Sequence, residues 1–420
     1  MPLSSGRTSP NVLPSLTTSF PAAKIESVTV QFLVSAGEAS GDLYASGVVH
    51  SLSTLYPHAR FYGCAGPKLQ AAGVEPVIDA RNLAVVGLAE VVGHLPRIYR
   101  EYRKLIAYAR QQPPHAALLT DSPDFHLRLA RHLKKMGVPV YYLVAPQVWA
   151  WRQNRIKLIR KLVNKLFCLF PFEEAWFRER GVDATYIGHP LATMARTSLS
   201  RDEFLERYRL PRDKRVLVLL PGSRTGEACR HLPVLLQSVA ELRGRFDISV
   251  ILGTPRGFYR AEAFAKFRER IASLSIQIIE NDTWNCIGHA DLALAASGTV
   301  TIEAAILGTP TVTFYKVNPL TWSAGRRLVK VPFLSMVNLI AERQIVPEFI
   351  QHEMTPSHIT SAAEALLNSP ERADRMRMEL GRVRALLTRE GNPFERAASL
   401  IDMDLHARVS GFNIPQETIK

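Results

Sequence analysis

Residues 292–310, LALAASGTVTIEAAILGTP, constrain the fold more than any other stretch. An apolar run ends at Ser297-Gly298-Thr299. Ile302, Ala305 and Ile306 then recur at helical spacing, with Glu303 on another face. Gly308 and Pro310 stop the helix, and a β-branched run from Thr311 to Phe314 follows. This pattern is strand, tight turn, helix, strand. A helix that starts at a strand's carboxyl end leaves N–H groups free and attracts phosphate. Gly298 lets backbone approach a ligand, Ser297 and Thr299 offer hydroxyls, and Glu303 is placed to take both hydroxyls of a ribose. The same residues also suit an ordinary βαβ corner with a capping hydroxyl and a solvated Glu303.

The alternation extends both ways. Strands are expected at residues 28–34, 61–65, 116–120, 138–144 and 166–170, then at 215–220, 248–252 and 276–280, with helical patterns between them. Two runs of this kind make two doubly wound, Rossmann-like α/β domains that face each other across a cleft. The boundaries read as a Ser- and Pro-rich disordered extension (1–26), a first domain (27–192), a second (193–350), and C-terminal helices (351–410) broken at Gly381 and at Gly391-Asn392-Pro393.

Charge and cysteines narrow the partners. The 420-residue chain carries a formal net charge of +14, which fits nucleic acid, an anionic membrane or a phosphorylated substrate. No apolar run reaches the roughly 20 residues of a membrane span, and no signal peptide is expected at the start. Cys64, Cys168, Cys229 and Cys286 are scattered, which reads as buried reduced thiols and neither a disulfide framework nor a zinc site.

Several strand ends carry chemistry. Gly37, Glu38, Ser40, Gly41 and Asp42 follow the first strand. Their G-x-x-x-G spacing is not the dinucleotide fingerprint, and a ligand loop and a plain βα turn both remain open. Asp121 ends the third expected strand, where α/β sheets gather ligands; capping of its own helix is the alternative. Gly222, Ser223 and Arg224 form a turn able to hold phosphate, without the lysine of a P-loop. Residues 83–95 are apolar on more than one face and precede Arg97, Arg100, Arg103 and Lys104. This is a core helix or a lipid-facing patch. Trp149, Trp151, Arg152 and Arg155 lead a basic amphipathic helix over 153–165, a solvated face or a membrane-surface element. His189 near the end of the first half reads as structural more readily than as catalytic. The one D-x-D, Asp402-Met403-Asp404, lies in the tail and reads as solvated.

Taken together, SAGEASGD (35–42), AGP (65–67), DSPDF (121–125), PQVWAWR (146–152), IGHP (187–190), LPGSR (220–224), ASGTVTIE (296–303) and SMVNLIA (335–341) resemble the lipid-A-disaccharide synthase family. The resemblance implies a GT-B type inverting glycosyltransferase that transfers 2,3-diacylglucosamine from its UDP derivative to 2,3-diacylglucosamine 1-phosphate (lipid X), giving a β-1,6-linked disaccharide phosphate and UDP. It implies Asp121 as the base, and Arg224 with the 297–299 turn on the diphosphate. Glu303 would hold the ribose, with Asn338 and Gln351 near the nucleotide. It also implies no metal cofactor, a peripheral place on the cytoplasmic face of the inner membrane, and C-terminal helices that pack back or exchange in a homodimer. The chain departs from the pattern at His126, where a small amide is expected, and in its first residues.

Two other readings compete. Another UDP-sugar enzyme of this architecture, an N-acetylglucosaminyltransferase or an epimerase, has no use for the apolar and tryptophan-led basic stretches. A nucleic-acid binder is disfavoured because the basic helix keeps aliphatic residues at core spacing and no binding motif appears.

Overall fold

The structure, a computed structural model, describes residues 29–80, 88–319, 322 and 331–411. The expected extension at 1–26 lies outside these residues. So do residues 81–87 and the side chains through 95, which hold most of the apolar 83–95 stretch.

Among the described residues two parallel sheets form. The first has the order β3-β2-β1-β4-β5-β6-β7, with β1 Gln31–Ala36, β2 Arg60–Ala65, β3 Val74–Asp79, β4 Ala116–Thr120, β5 Val140–Leu143, β6 Lys165–Cys168 and β7 Ala184–Tyr186. The second has the order β10-β9-β8-β11-β12-β13, with β8 Arg215–Leu220, β9 Ile248–Thr254, β10 Gln277–Glu280, β11 Leu292–Ala296, β12 Thr311–Tyr315 and β13 Glu348–Ile350. The inner strands are continuous buried runs, as helices on both faces require. Leu292–Ala296 is buried at every residue, and so is Ile248–Thr254.

In each sheet the order reverses beside the first strand of that half, between β1 and β4 and between β8 and β11. Ligands gather at such points, outside the strands' carboxyl ends. Asp121 follows β4 and Gly37 follows β1. Ser297 follows β11 and Pro221 follows β8.

Several expectations are corrected. β3, β7 and β13 were not anticipated; all three are edge strands, and β3 contains Pro76, which an edge tolerates because no neighbour needs its missing N–H. The basic helix is shorter than 153–165: a 3-10 turn, Gln153–Arg155, leads into a helix at Ile156–Leu162, and Lys165 already belongs to β6. Gly381 breaks nothing, since Pro370–Leu387 runs through it; the break lies at Ser369, which caps that helix.

The C-terminal helix Pro393–Gly411 returns to the first half and packs along Ala39–Leu55. Gly47 permits the close approach, because a Cβ there would stand 2.5 Å from the Phe394 ring. The Asp402/Asp404 pair is not solvated. Tyr56 Oη donates to Asp402 at 2.6 Å and Tyr141 Oη to Asp404 at 2.7 Å, and Arg408 also binds Asp404. The two carboxylates clamp this helix to the first half.

Candidate active site

Asp121 and Ser122 leave β4 with φ of +58° and +36°, in the left-handed region that costs about 1–3 kcal/mol per non-glycine residue. Surrounding contacts hold them there. His126 and Tyr142 both donate to the Asp121 carbonyl, His126 Nδ1 at 2.9 Å. Burial lowers the His126 pKa to about 4, so the ring is neutral. With Nδ1 donating, Nε2 accepts from Ser35 Oγ at 2.7 Å. The histidine thus supplies a polar bridge between β1 and the aspartate at the position where a small amide was expected.

The Asp121 carboxylate does not cap its own helix, whose N-cap is Ser122; the Ser122 hydroxyl makes no cap bond and donates to Asp121. It reaches across to the turn after β1. Gly37 N–H donates to Oδ1 at 2.9 Å and Glu38 N–H to Oδ2 at 3.0 Å. A Cβ on Gly41 would fall 1.7 Å from Oδ2, and one on Gly37 would fall 2.9 Å from Oδ1. These glycines therefore make room for a carboxylate. Burial raises the Asp121 pKa to about 7 against the lowering effect of these hydrogen bonds, and the Glu38 charge adds to the rise.

Other members of the 37–42 loop take different parts. Asp42 is buried and points away from Asp121, accepting from the N–H groups of Gly66 (2.8 Å) and Lys68 (2.8 Å). It holds the AGP turn. Ser40 is half-buried in the helix's first turn, and Glu38 is exposed. Across the cleft, Arg224 Nη2 stands 3.2 Å from Glu38 Oε1. Arg224 and Ser223 are exposed at the head of the helix Thr225–Arg243. Gly222 sits at φ +115°, which strains any residue with a side chain, and a Cβ there would lie 2.7 Å from the Glu227 carboxyl carbon.

Gly298 and Thr299 are exposed at the start of the helix Thr299–Leu307, which has no side-chain cap. Ser297 N–H is used by Phe314 O at 2.8 Å. Glu303 is half-buried and not solvated. The Trp284 side chain donates to it, Tyr44 from the first half faces it, and burial raises its pKa to about 7. Tyr44 and Trp284 carry no motif that marks them in the sequence. One reads as a core aromatic on a helix, the other as the start of a short helix.

Some expected site residues are engaged elsewhere. Asn338 is fully buried, its amide bonded to Val346 O, Glu348 and the N–H groups of Ile345 and Val346. Gln351 pairs both ways with the Val317 backbone, at 2.7 and 3.1 Å. Both position backbone in the second half, and the Asn338 amide uses its donors and its oxygen on these partners. His189 is the N-cap of Pro190–Met194, its Nδ1 accepting from Leu191 N–H at 3.2 Å; burial lowers its pKa to about 3. It is a boundary residue. Trp149 is buried, its indole N–H donating to Glu173 at 3.0 Å, so it is no membrane anchor. Trp151 is exposed with the Arg152 guanidinium 4.4 Å over its ring, and Arg152 and Arg155 both pair with Asp124. Among the described residues no cluster of side chains has the makings of a metal site.

The family model described as lipid-A-disaccharide synthetase matches residues 32–400. A lipid-A-disaccharide synthase of Solibacter usitatus is 51% identical over 90% of this chain and 99% of its own length. One from Geobacter metallireducens is 38% identical over 88% and 96%. Among solved structures, a UDP complex of Staphylococcus aureus MnaA superimposes with a TM-score of 0.60 at 13% identity, covering 93% of this chain and all (100%) of the other. MurG of Acinetobacter baumannii gives 0.52 at 15%, covering 90% and 100%. At such identities the structural likeness speaks for the two-domain fold alone.

Proposed function

The chain belongs to the lipid-A-disaccharide synthase family, glycosyltransferases of lipid A biosynthesis that use a sugar-nucleotide donor and a lipid acceptor, and from that premise we propose its chemistry. It transfers 2,3-diacylglucosamine from the UDP derivative to the 6-hydroxyl of 2,3-diacylglucosamine 1-phosphate, with inversion and without a metal. Asp121 removes the hydroxyl proton as that oxygen attacks the anomeric carbon, and UDP leaves from the opposite face. A base with a pKa near 7 is half-ionised at neutral pH and still strong enough to take the proton. Arg224 and the free N–H groups of Thr299–Leu307 meet the diphosphate, and Glu303 takes the ribose.

The observation that carries this reading is the Asp121 carboxylate, fixed by the backbone amides of Gly37 and of Glu38, the residue whose side chain meets Arg224 across the cleft. The test is incubation of the pure protein with both diacylated substrates and mass spectrometry for a disaccharide phosphate. No product alongside an active known synthase would overturn it.

The same proposal puts the enzyme on the cytoplasmic face of the inner membrane as a peripheral protein. Lys157, Arg160 and Lys161 are exposed beside Trp151, and Arg97, Arg100, Arg103 and Lys104 are exposed on the helix Leu88–Gln111. Each cation near an anionic surface contributes about 1 kcal/mol. No helix of the described residues is long and apolar enough to cross a membrane. Homodimerisation by exchange of the C-terminal helices remains a proposal that sedimentation would decide; within one chain the last helix packs back on its own first half.

A further inference from the structure

Where β5 and β6 end, the two halves enclose an open groove of about 800 Å³, within the range of about 300–1,000 Å³ common for small-molecule sites. Trp149, Phe172 and Trp176 wall it from the first half. Leu339, Val383 and Leu386 wall it from the second half and the helix Pro370–Leu387. Glu342, Arg343, Glu379 and Arg382 also line the groove, and most of its polar groups are used elsewhere. The Trp149 indole N–H goes to Glu173, and Arg343 and Arg382 both bind Glu379 at the rim. Leu386 stays 49% exposed, so this wall keeps apolar surface open to solvent.

Position identifies the ligand. β6 lies two places from β4 in the sheet, about 10 Å at the usual strand spacing. The groove is therefore one chain's reach from Asp121, on the same rim of strand ends. Gln147 Nε2, two residues before Trp149, meets Met336 Sδ across the cleft at 3.9 Å, so the groove adjoins the place where the halves touch. We propose that this groove takes one fatty acyl chain of the lipid substrate while the sugar sits at Asp121. The inference rests on the transfer reading of the cleft and commits to an alkyl chain.

The test uses the acceptor 2,3-diacylglucosamine 1-phosphate brominated on an acyl chain, which quenches nearby tryptophan fluorescence. Trp149 and Trp176 should be quenched in the unmodified protein, and Trp176→Phe should reduce the effect. Ala341→Phe narrows the groove, and Leu386→Glu puts a charge on its open wall at a half-exposed position where folding is not at stake. Both should abolish the quenching and raise KM for the acylated acceptor about tenfold, with UDP affinity unchanged by calorimetry. Quenching that persists in both variants, or is absent from the unmodified protein while disaccharide forms, overturns the proposal. Conversion of a dimer to monomer by Leu386→Glu with quenching unchanged also overturns it, since the groove would then be a contact between copies. Quenching without product would overturn the transfer reading and leave the groove assignment standing.

Discussion

Two carboxylates meet the cleft from opposite halves, and burial brings both to a pKa of about 7. They are held in different ways. Asp121 is gripped by two backbone amides and the hydroxyl of its neighbour Ser122, sits on a left-handed backbone pinned by His126 and Tyr142, and is walled by glycines that leave no slack. Glu303 is held by one side chain, Trp284, and faces another, Tyr44, from the opposite half. Backbone donors cannot rotate away, so they fix a group whose lone pair must point at one reacting atom. Side-chain partners can yield, which suits a group that turns to meet ribose hydroxyls while its partner steadies it. The contrast separates a candidate base from a candidate binding residue that the pKa alone would leave alike.

The largest expected effect is on the rigid side. Gly41→Ala drives a Cβ into Asp121 Oδ2, and overpacking of this sort costs about 1–3 kcal/mol. Turnover should fall at least about 100-fold, the contribution of a well-placed base, measured as initial rates with a melting curve to show that folded protein remains. Gly381 is the control. It is also a helical glycine but has open space around its Cβ position, so Gly381→Ala should leave turnover unchanged and stabilise by about 0.5–1 kcal/mol.

The second test is pH. Each carboxylate has a folded pKa above its ordinary value, so the folded protein holds these protons more tightly than the unfolded chain. Below the ordinary carboxylate range neither group costs stability; as pH rises from about 4 to about 7 the unfolded chain ionises while the folded protein keeps its protons, and the cost is fully present once pH passes about 7. The melting temperature of Asp121→Asn relative to the unmodified protein should therefore climb between about pH 4 and pH 7 and then level off, offset by a constant loss because an amide can accept from only one of the two backbone N–H groups. Turnover should show an acidic limb near pH 7. A relative melting temperature flat with pH would mean that Asp121 is not buried as a proton-holding acid.

On the yielding side the effects are smaller. Trp284→Phe removes one donor to Glu303, and UDP affinity measured by calorimetry should weaken by about 0.5–1.5 kcal/mol, with turnover at saturating donor preserved. Smallest of all, Glu38→Gln breaks the pair with Arg224. Both partners are more than half exposed, and such pairs contribute about 0–1 kcal/mol, so UDP affinity should rise by a factor of a few at most as the guanidinium is released.

Much of this comparison is legible in the sequence because strand-end residues follow from periodicity. Residues 292–310 and 116–121 read directly as strand ends that carry Glu303 and Asp121. The strands the pattern missed are edges: β7 and β13 span only Ala184–Tyr186 and Glu348–Ile350, and β3 is broken by Pro76 and exposed at Glu75 and Pro76, so none shows the buried run of an inner parallel strand. What holds each carboxylate was not legible. His126, Tyr44 and Trp284 come from elements that meet only on folding, and no local spacing ties Trp284 to a tyrosine on the first half's helix. Asp42, Asn338 and His189 resemble ligand-facing residues by position, yet their groups are consumed by backbone, a fact of hydrogen-bond geometry.

The most direct measurement pairs Asp121→Asn with Glu303→Ala, taking UDP affinity by calorimetry and turnover at saturating substrates on both. Asp121→Asn should leave UDP affinity unchanged and lower turnover at least about 100-fold. Glu303→Ala should weaken UDP binding by about 1.5–3 kcal/mol, roughly ten- to a hundredfold, with a much smaller loss of turnover once donor saturates. Near-normal turnover in Asp121→Asn, or equal losses of binding in both variants, would contradict the division of labour between the two halves.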